Sequence, residues 1–199
     1  MTSQQTCLRY IKQFVKKEQP KCDYMLENSP KAASSTSPSN LCCYTWKQVE
    51  FNTIASGFGW LGPVSSDIHR FVLTEIGRSD IMEHIPANGA LAGLCNGMLD
   101  AWKMYNNKDA VILFIIEDVT YNICDQRFHE FEIRRLNPHA RVIRRNLTQI
   151  AERASLSKDK ELIVDGVVVA VIYFRSGYQT DAYHSKKEWD ARLLMESTI

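Results

Sequence analysis

One uninterrupted apolar segment constrains the fold of this chain more than any other feature of its sequence. Residues 111–116 read Val-Ile-Leu-Phe-Ile-Ile, with no polar side chain among them. A strand that is apolar on both faces has to be covered on both faces, as the central strands of parallel sheets are. The segment is also far shorter than the roughly 20 residues that a membrane-spanning helix needs. The sequence therefore predicts a central, buried strand here rather than a transmembrane segment.

The surrounding segments predict further strands and helices. Asp165-Gly166 separates two apolar runs, residues 161–164 and 167–174, and this dipeptide is a strong signal for a hairpin turn. Strands are also expected at residues 44–51, ending near Asn52, and at residues 141–144. Apolar residues at helical spacing predict helices at residues 7–17, 63–76, 91–105, 125–136 and 187–196. This alternation predicts an α/β fold, with three α/β/α layers around a mainly parallel sheet and a site at the strand ends.

Composition adds limits on size, compartment and partners. The chain has 199 residues, 45% of them hydrophobic, which suits one main domain with a small appendage. We expect an N-terminal helix and a Ser/Pro-rich loop over residues 1–46 and the main domain over residues 47–199. A formal net charge of +1 offers no cationic field to a nucleic acid. Six cysteines without a CxxC pair, in a chain without a secretory signal, predict free thiols and a cytoplasmic location.

A glycine-rich segment, Gly57-Phe58-Gly59-Trp60-Leu61-Gly62, lies between a predicted strand and a predicted helix. Its spacing matches the dinucleotide fingerprint GxGxxG. We reject that interpretation, because the fingerprint requires a second strand with an acidic end about 20 residues later, whereas a helix is predicted there. Two interpretations stay open. The turn either offers backbone N–H groups to an anion at a helix N-terminus, or it is a tight turn without a ligand.

Oxygen ligands for a hard cation occur at one predicted strand end. Glu50 and Asn52 are two residues apart and project to the same face of a strand. They suit Mg²⁺ that is shared with nucleotide phosphates, because two protein oxygens are too few for a closed site. The alternative is an idle, solvated carboxylate.

Further polar candidates follow the two strongest predicted strands. Asn122 and Gln126 are four residues apart at the start of a predicted helix. Either both bind a ligand, or Asn122 caps the helix and Gln126 is a surface side chain. Arg175 and Tyr178 follow the hairpin, where they either clamp a carboxylate or pack at the surface. The five histidines are scattered and do not favour a zinc site or a hydrolase.

Several separated motifs together resemble one known family. They are KQVEFNTIASGFGWLGP at residues 47–63, NICDQR at 122–127, VIRR at 142–145, VDGVVVAVIYFRSGY at 164–178 and EWDARLLMES at 188–197. In order and spacing they resemble eukaryotic glutathione synthetase, from about Lys21 onward. The resemblance implies a ligase that joins γ-glutamylcysteine to glycine with ATP and Mg²⁺, through an acyl phosphate, in a homodimer.

The resemblance also implies the roles of individual residues. Glu50 and Asn52 hold Mg²⁺, with Glu50 also near ATP. The residues that surround γ-glutamylcysteine are Lys21, Ile54, Ala55, Ser56, Gly57, Thr120, Tyr121, Asn122, Gln126, Arg175, Ser176, Gly177 and Tyr178. Catalysis of this kind depends on positioning and charge neutralisation rather than on an acid–base residue.

The chain also departs from the family pattern. Many relatives have serine at the positions of Ala55 and Gly57, an acidic residue at Thr120 and arginine at Lys21. The sequence ends at Ile199, before the ATP-grasp part of the family. We therefore expect this chain to be the substrate-binding portion of such a ligase and to be inactive by itself. The alternative is a non-catalytic module of the same fold that binds a γ-glutamyl peptide or mediates dimerisation.

Overall fold

The computed structural model describes residues 21–28 and 44–198. The helix expected at residues 7–17 and most of the Ser/Pro-rich loop therefore lie outside the described residues. Strands β1 (Lys21–Asn28) and β2 (Tyr44–Asn52) form a two-stranded antiparallel sheet in which Lys21 stands opposite Asn52. The sequence predicted β2 but not β1. A 3₁₀ turn, Thr53–Phe58, follows β2 and leads into the first helix.

A second sheet contains five strands. They are β3 (Val111–Ile115), β4 (Val142–Arg145), β5 (Ala154–Leu156), β6 (Leu162–Val164) and β7 (Val167–Phe174), in the order β4-β3-β7-β6-β5. Strand β3 runs parallel to β4 and β7, whereas β6 is antiparallel to β5 and β7. The sheet is therefore only partly parallel, because the hairpin at Asp165-Gly166 reverses the chain between β6 and β7. Both turn residues have positive φ angles, 50° and 77°, as a tight hairpin turn requires.

Five α-helices accompany the strands in the described residues. They are α1 (Leu61–Glu75), α2 (Ala90–Tyr105), α3 (Ile123–Leu136), α4 (Leu147–Arg153) and α5 (Lys186–Glu196). Helices α1 and α3 each begin two residues before the expected position. Helix α4 was not predicted, because its seven residues are too few to show a helical period. Within residues 21–28 and 44–198, no helix has the length and apolar character needed to cross a bilayer.

Strand β3 is the centre of the core, as the apolar run predicted. All five of its residues are buried. Alternate side chains enter two clusters. One contains Val111, Leu113 and Ile115 with Leu147 and Ile150 of α4 and Ala191 and Met195 of α5. The other contains Ile112 and Phe114 with Leu99 and Trp102 of α2 and Ile133 of α3.

Helix α1 differs from the other long helices because none of its residues is buried. Its apolar stripe is visible in the sequence, but Ile68 and Phe71 are 53% and 65% exposed. The periodicity therefore predicted the helix correctly without showing that its apolar face is covered.

Candidate functional site

The candidate site lies where the parallel strands β3 and β7 end. Ile115 and Phe174 are paired at the last position of the two strands. The next residue, Arg175, donates its backbone N–H to the carbonyl of Ile115 at 2.8 Å. This bond holds the start of the segment 175–178 against β3. Carboxyl ends of neighbouring parallel strands are the usual position of ligand sites in α/β folds.

A cavity of about 330 Å³ opens at this edge. Such a volume lies near the lower end of the range for small-molecule sites. Five of its lining residues were implied by the family resemblance: Ser56, Arg175, Ser176, Gly177 and Tyr178. Two further residues of the described lining, Phe174 and Arg192, were not anticipated. The cavity therefore joins a segment before α1 with a segment after β7 that is more than a hundred residues away in sequence.

The glycines of the GFGWLG segment permit close packing of the turn against side chains. An ideal Cβ at Gly57 would lie 2.4 Å from Nη1 of Arg175, and one at Gly59 would lie 2.5 Å from Nε2 of His129. Both distances are below any normal contact, so only glycine allows this approach. The role of these glycines is thus to bring the backbone onto Arg175 and His129.

The start of α3 holds this turn in place. Asn122 is the N-cap of α3, and its Nδ2 donates to the carbonyl of Gly57 at 3.3 Å. Asp125 is fully buried, and its Oδ1 accepts the backbone N–H groups of Trp60 and Leu61, both at 2.8 Å. The N–H groups at the start of α1 therefore do bind an anion, but that anion is a carboxylate of this chain. Of the two interpretations left open by the sequence, this finding favours the turn without a bound ligand at these two N–H groups.

The dinucleotide interpretation of the glycine-rich segment also has no support in the topology. Strand β2 precedes the turn, but it pairs with β1 in a separate two-stranded sheet. The strand, turn and helix are consequently not part of a parallel βαβ unit, which the dinucleotide fold requires.

The other candidate side chains in and just before α3 do not point to a common position. Gln126 is 1% exposed, and its Oε1 accepts a hydrogen bond from Arg144 on β4 at 2.9 Å. It is therefore not a surface side chain, and it does not line the cavity. Thr120 Oγ1 accepts the backbone N–H of Asn122 at 3.3 Å, while the side chain of Tyr121 is fully exposed.

The remaining candidates belong to the two-stranded sheet and the 3₁₀ turn. Lys21 and Asn52 are ladder partners, and Glu50 stands opposite Asp23. The Glu50 side chain is exposed, and Ile54 and Ala55 lie in the turn Thr53–Phe58. Of these residues, the exposed Glu50 has a described side chain, and it is not part of the described cavity lining. Within the described part of the chain, no cluster of three or more His, Cys, Asp or Glu residues could hold a metal ion.

Two titratable side chains, His129 and Tyr173, interact electrostatically with Arg175. The fully buried His129 donates from Nδ1 to the backbone carbonyl of Asp125, which leaves Nε2 without a partner. Burial lowers the pKa of His129, and the nearby charge of Arg175 lowers it further. Burial also raises the pKa of Tyr173, whose hydroxyl donates to the carbonyl of Ser56 at 3.4 Å. The imidazole beside the guanidinium is thus harder to protonate than a free histidine side chain.

Helix α5 and the residues before it support the opposite wall. Tyr183 donates its hydroxyl proton to the carbonyl of Gly177 at 2.9 Å and stacks on Trp189, with ring centroids 3.8 Å apart. At the rim, the carboxylate of Glu117 accepts from the Tyr178 hydroxyl at 3.4 Å and raises the pKa of that phenol. Guanidinium, hydroxyl and backbone groups therefore line a cavity that suits a small polar anion.

Comparison with known proteins identifies related sequences. Residues 110–199 match the family described as eukaryotic glutathione synthase. Glutathione synthetase of Xenopus laevis is 41% identical over 150 residues, which cover 75% of this chain and 31% of that protein. Glutathione synthetase of Bos taurus is 36% identical over 174 residues, which cover 87% of this chain and 34% of that protein. This chain spans about a third of the length of these relatives.

A solved structure has a similar fold. It is the apo form of a glutathione synthetase-like effector, GSS30, from Globodera pallida, with a TM-score of 0.60. The alignment covers 90% of this chain and 44% of that chain at 21% sequence identity. At this identity the similarity concerns the fold alone, and it supports the mixed α/β class.

Proposed function

Since this chain is homologous to the eukaryotic glutathione synthetases, we propose that it binds γ-glutamylcysteine for an ATP-dependent ligation to glycine. The proposed binding region is residues 47–199, arranged as an α/β/α domain. In this proposal the dipeptide occupies the cavity at the ends of β3 and β7. The proposal extends to a homodimer in the cytoplasm, as the family resemblance and the cysteine usage suggest.

One observation carries the proposal: the cavity unites Ser56 with residues 175–178, two segments that the resemblance assigns to the same ligand. Arg175 supplies paired N–H donors that match a carboxylate. Ser56 and Ser176 add short polar side chains, and Tyr178 is exposed at the rim. The turn containing Gly57 packs against the Arg175 guanidinium, which restricts the side chain before the ligand arrives.

The residues proposed for Mg²⁺ fit the metal only in part. A carboxylate at Glu50 and an amide at Asn52 are oxygen donors of the kind that Mg²⁺ prefers. Two donors leave most of the coordination sphere to water and to the phosphates of ATP. When bound, ATP and Mg²⁺ would activate the carboxylate of the dipeptide. The role of this chain would be to bind that dipeptide and orient its carboxylate.

Calorimetry with γ-glutamylcysteine tests the proposal. We expect saturable binding by the wild-type chain and about ten- to hundred-fold weaker binding by Arg175→Gln, because a charge-assisted hydrogen bond contributes about 1.5–3 kcal/mol. Arg78→Gln is the matched control, since Arg78 pairs with Asp80 at the surface and is not part of the cavity lining. A folded wild-type chain that does not bind the dipeptide would contradict the proposal.

A turnover assay separates the ligase from the binding module. The chain is mixed with γ-glutamylcysteine, glycine, ATP and Mg²⁺, and glutathione is measured by mass spectrometry. Glutathione formation that is lost in Arg175→Gln supports the ligase. Dipeptide binding without glutathione formation supports the module.

A further inference from the structure

The cavity contains a second guanidinium that the family resemblance did not assign. We infer that Arg192 is a ligand-binding residue and that the cavity takes a dicarboxylate, with one carboxylate on Arg175 and the other on Arg192. This inference rests on the proposed function, because γ-glutamylcysteine carries two carboxylates. It adds a recognition residue from α5 to a site otherwise built from the turn before α1 and the segment after β7.

The side chain of Arg192 is held in place by its neighbours, but part of its hydrogen-bonding capacity is free in the described structure. Its guanidinium carbon lies 3.9 Å from the ring centroid of Phe174, the residue that precedes Arg175. Its Nε donates to Glu196 on the next turn of α5. Among the described residues, neither Nη1 nor Nη2 of Arg192 has a hydrogen-bond partner. The two terminal nitrogens are therefore available to a ligand, on a side chain that is already ordered.

These terminal nitrogens lie beside the ligand-binding segment. An ideal Cβ built on Gly177 would be 3.6 Å from Nη1 of Arg192. The same glycine lies between Ser176 and Tyr178, both of which line the cavity. Arg192 therefore lies next to the segment 175–178 on the side of α5, whereas the turn containing Gly57 packs on Arg175.

The charge of the cavity favours a dianion. Two of its lining side chains, Arg175 and Arg192, are cationic, and none of the described lining residues is acidic. Glu196 and Glu117 lie outside the lining, where they contact Arg192 Nε and the Tyr178 hydroxyl. The Arg192 side chain is 29% exposed and that of Glu196 is 54% exposed, so solvent weakens their pairing. A ligand carboxylate on the partly buried terminal nitrogens would meet less competition from water.

A purely structural role for Arg192 and a ligand-binding role predict different effects of its replacement on ligand affinity. If Arg192 only packs on Phe174, its replacement should weaken binding of every ligand by a similar factor. If it binds one carboxylate, its replacement should matter only for ligands that carry that carboxylate. The two roles are separated by ligands in which one carboxylate is converted to an amide.

The experiment measures binding of γ-glutamylcysteine, its two monoamides and the simple dicarboxylate glutarate by calorimetry. The proteins are the wild-type chain, Arg192→Met, Arg192→Lys and the control Lys187→Met on the exposed side of α5. We expect Arg192→Met to bind γ-glutamylcysteine about ten- to hundred-fold more weakly, with partial recovery in Arg192→Lys. One of the two monoamides should bind the wild-type chain and Arg192→Met with equal affinity.

Each outcome bears on the inference or on the proposed function. Equal losses for all ligands in a folded Arg192→Met protein would overturn the inference and leave the proposed function intact. Binding of glutarate but not of γ-glutamylcysteine, with loss in Arg192→Met, would overturn the proposed function and support the dicarboxylate site. No binding of any of these ligands by the wild-type chain would overturn both. Circular dichroism and thermal melting establish that the variants fold, and Arg192→Lys serves if Arg192→Met does not.

Discussion

Protonation of His129 should destabilise the fold at mildly acidic pH. The imidazole is fully buried, and its neighbours include the charge of Arg175, the backbone carbonyl of Asp125 and the ring of Tyr173. Cys95 donates its thiol proton to the backbone carbonyl of His129 at 3.5 Å. The net effect of these surroundings lowers the pKa of His129 below 6.5, the value for a free side chain. The folded protein therefore binds this proton less readily than the unfolded chain does.

The sign and size of the effect follow from this difference. Well above pH 6.5 the imidazole is neutral in both states, so His129 makes no contribution to the pH dependence of stability there. Below that pH the unfolded chain takes up the proton first, and each pH unit costs the fold at most about 1.4 kcal/mol. Between pH 6.5 and pH 5.0 the free energy of unfolding should therefore fall by up to about 2 kcal/mol. Glu132 and Glu188 have pKa values below 4.5, and their contributions are lost only at lower pH.

Urea denaturation at pH 7.5, 6.5, 5.5 and 5.0 measures this loss. The comparison is between the wild-type chain and His129→Leu, which has no group to titrate at this position. We expect the wild-type chain to lose stability across the window and the variant to lose less, by up to about 2 kcal/mol. His129→Gln serves if His129→Leu does not fold. Parallel slopes for wild type and variant would refute the reasoning, as would an NMR titration of His129 with a pKa of 6.5 or higher.

Further predictions concern the anchored turn and the thiols. Gly59→Ala should lower stability by about 1–3 kcal/mol, because its Cβ would overlap both His129 and Leu94 at 2.5 Å. Gly62→Ala is the control in thermal melts and should be neutral or stabilising, since its Cβ meets only the Asn88 side chain at 3.4 Å. Asp125→Ala should cost about 2–3 kcal/mol, because the N–H groups of Trp60 and Leu61 lose their acceptor. In denaturation curves, a loss under 1 kcal/mol would contradict that role. Burial raises the pKa of Cys95 to about 12, so native-state alkylation at pH 8 followed by peptide mapping should label the exposed Cys124 but not Cys95. Labelling of Cys95 at the rate of Cys124 would argue against its burial.

The elements with strong local signals could be predicted from the sequence. The apolar run of β3, the Asp165-Gly166 hairpin and the period of α2 each depend on neighbouring residues alone. Strand β1 was missed because charged and polar residues interrupt its sequence, KCDYMLEN, and because it depends on pairing with β2. Helix α4 had a usable signal that was overlooked, namely a capping box between Asn146 and Gln149.

Site residues that lie in one continuous segment could be predicted from the sequence. Site residues whose position depends on how helices pack on the sheet could not. Residues 175–178 follow a predicted strand, and the structure places all four in the cavity lining. The direction of Gln126 depends on which face of α3 meets β4, and the sequence does not specify that face. Arg192 was missed for a similar reason, since its place in the cavity depends on the packing of α5 on Phe174.

The turn between β2 and α1 is bonded to α3 through Asn122 and Asp125, and to β7 through the Tyr173 hydroxyl. The opposite wall follows directly from β7, within the hydrogen-bonded sheet. Substitutions that loosen the tie to α3 should therefore remodel one side of the cavity while the sheet keeps the other side unchanged. Such a division allows one side of the cavity to change during evolution without loss of the scaffold.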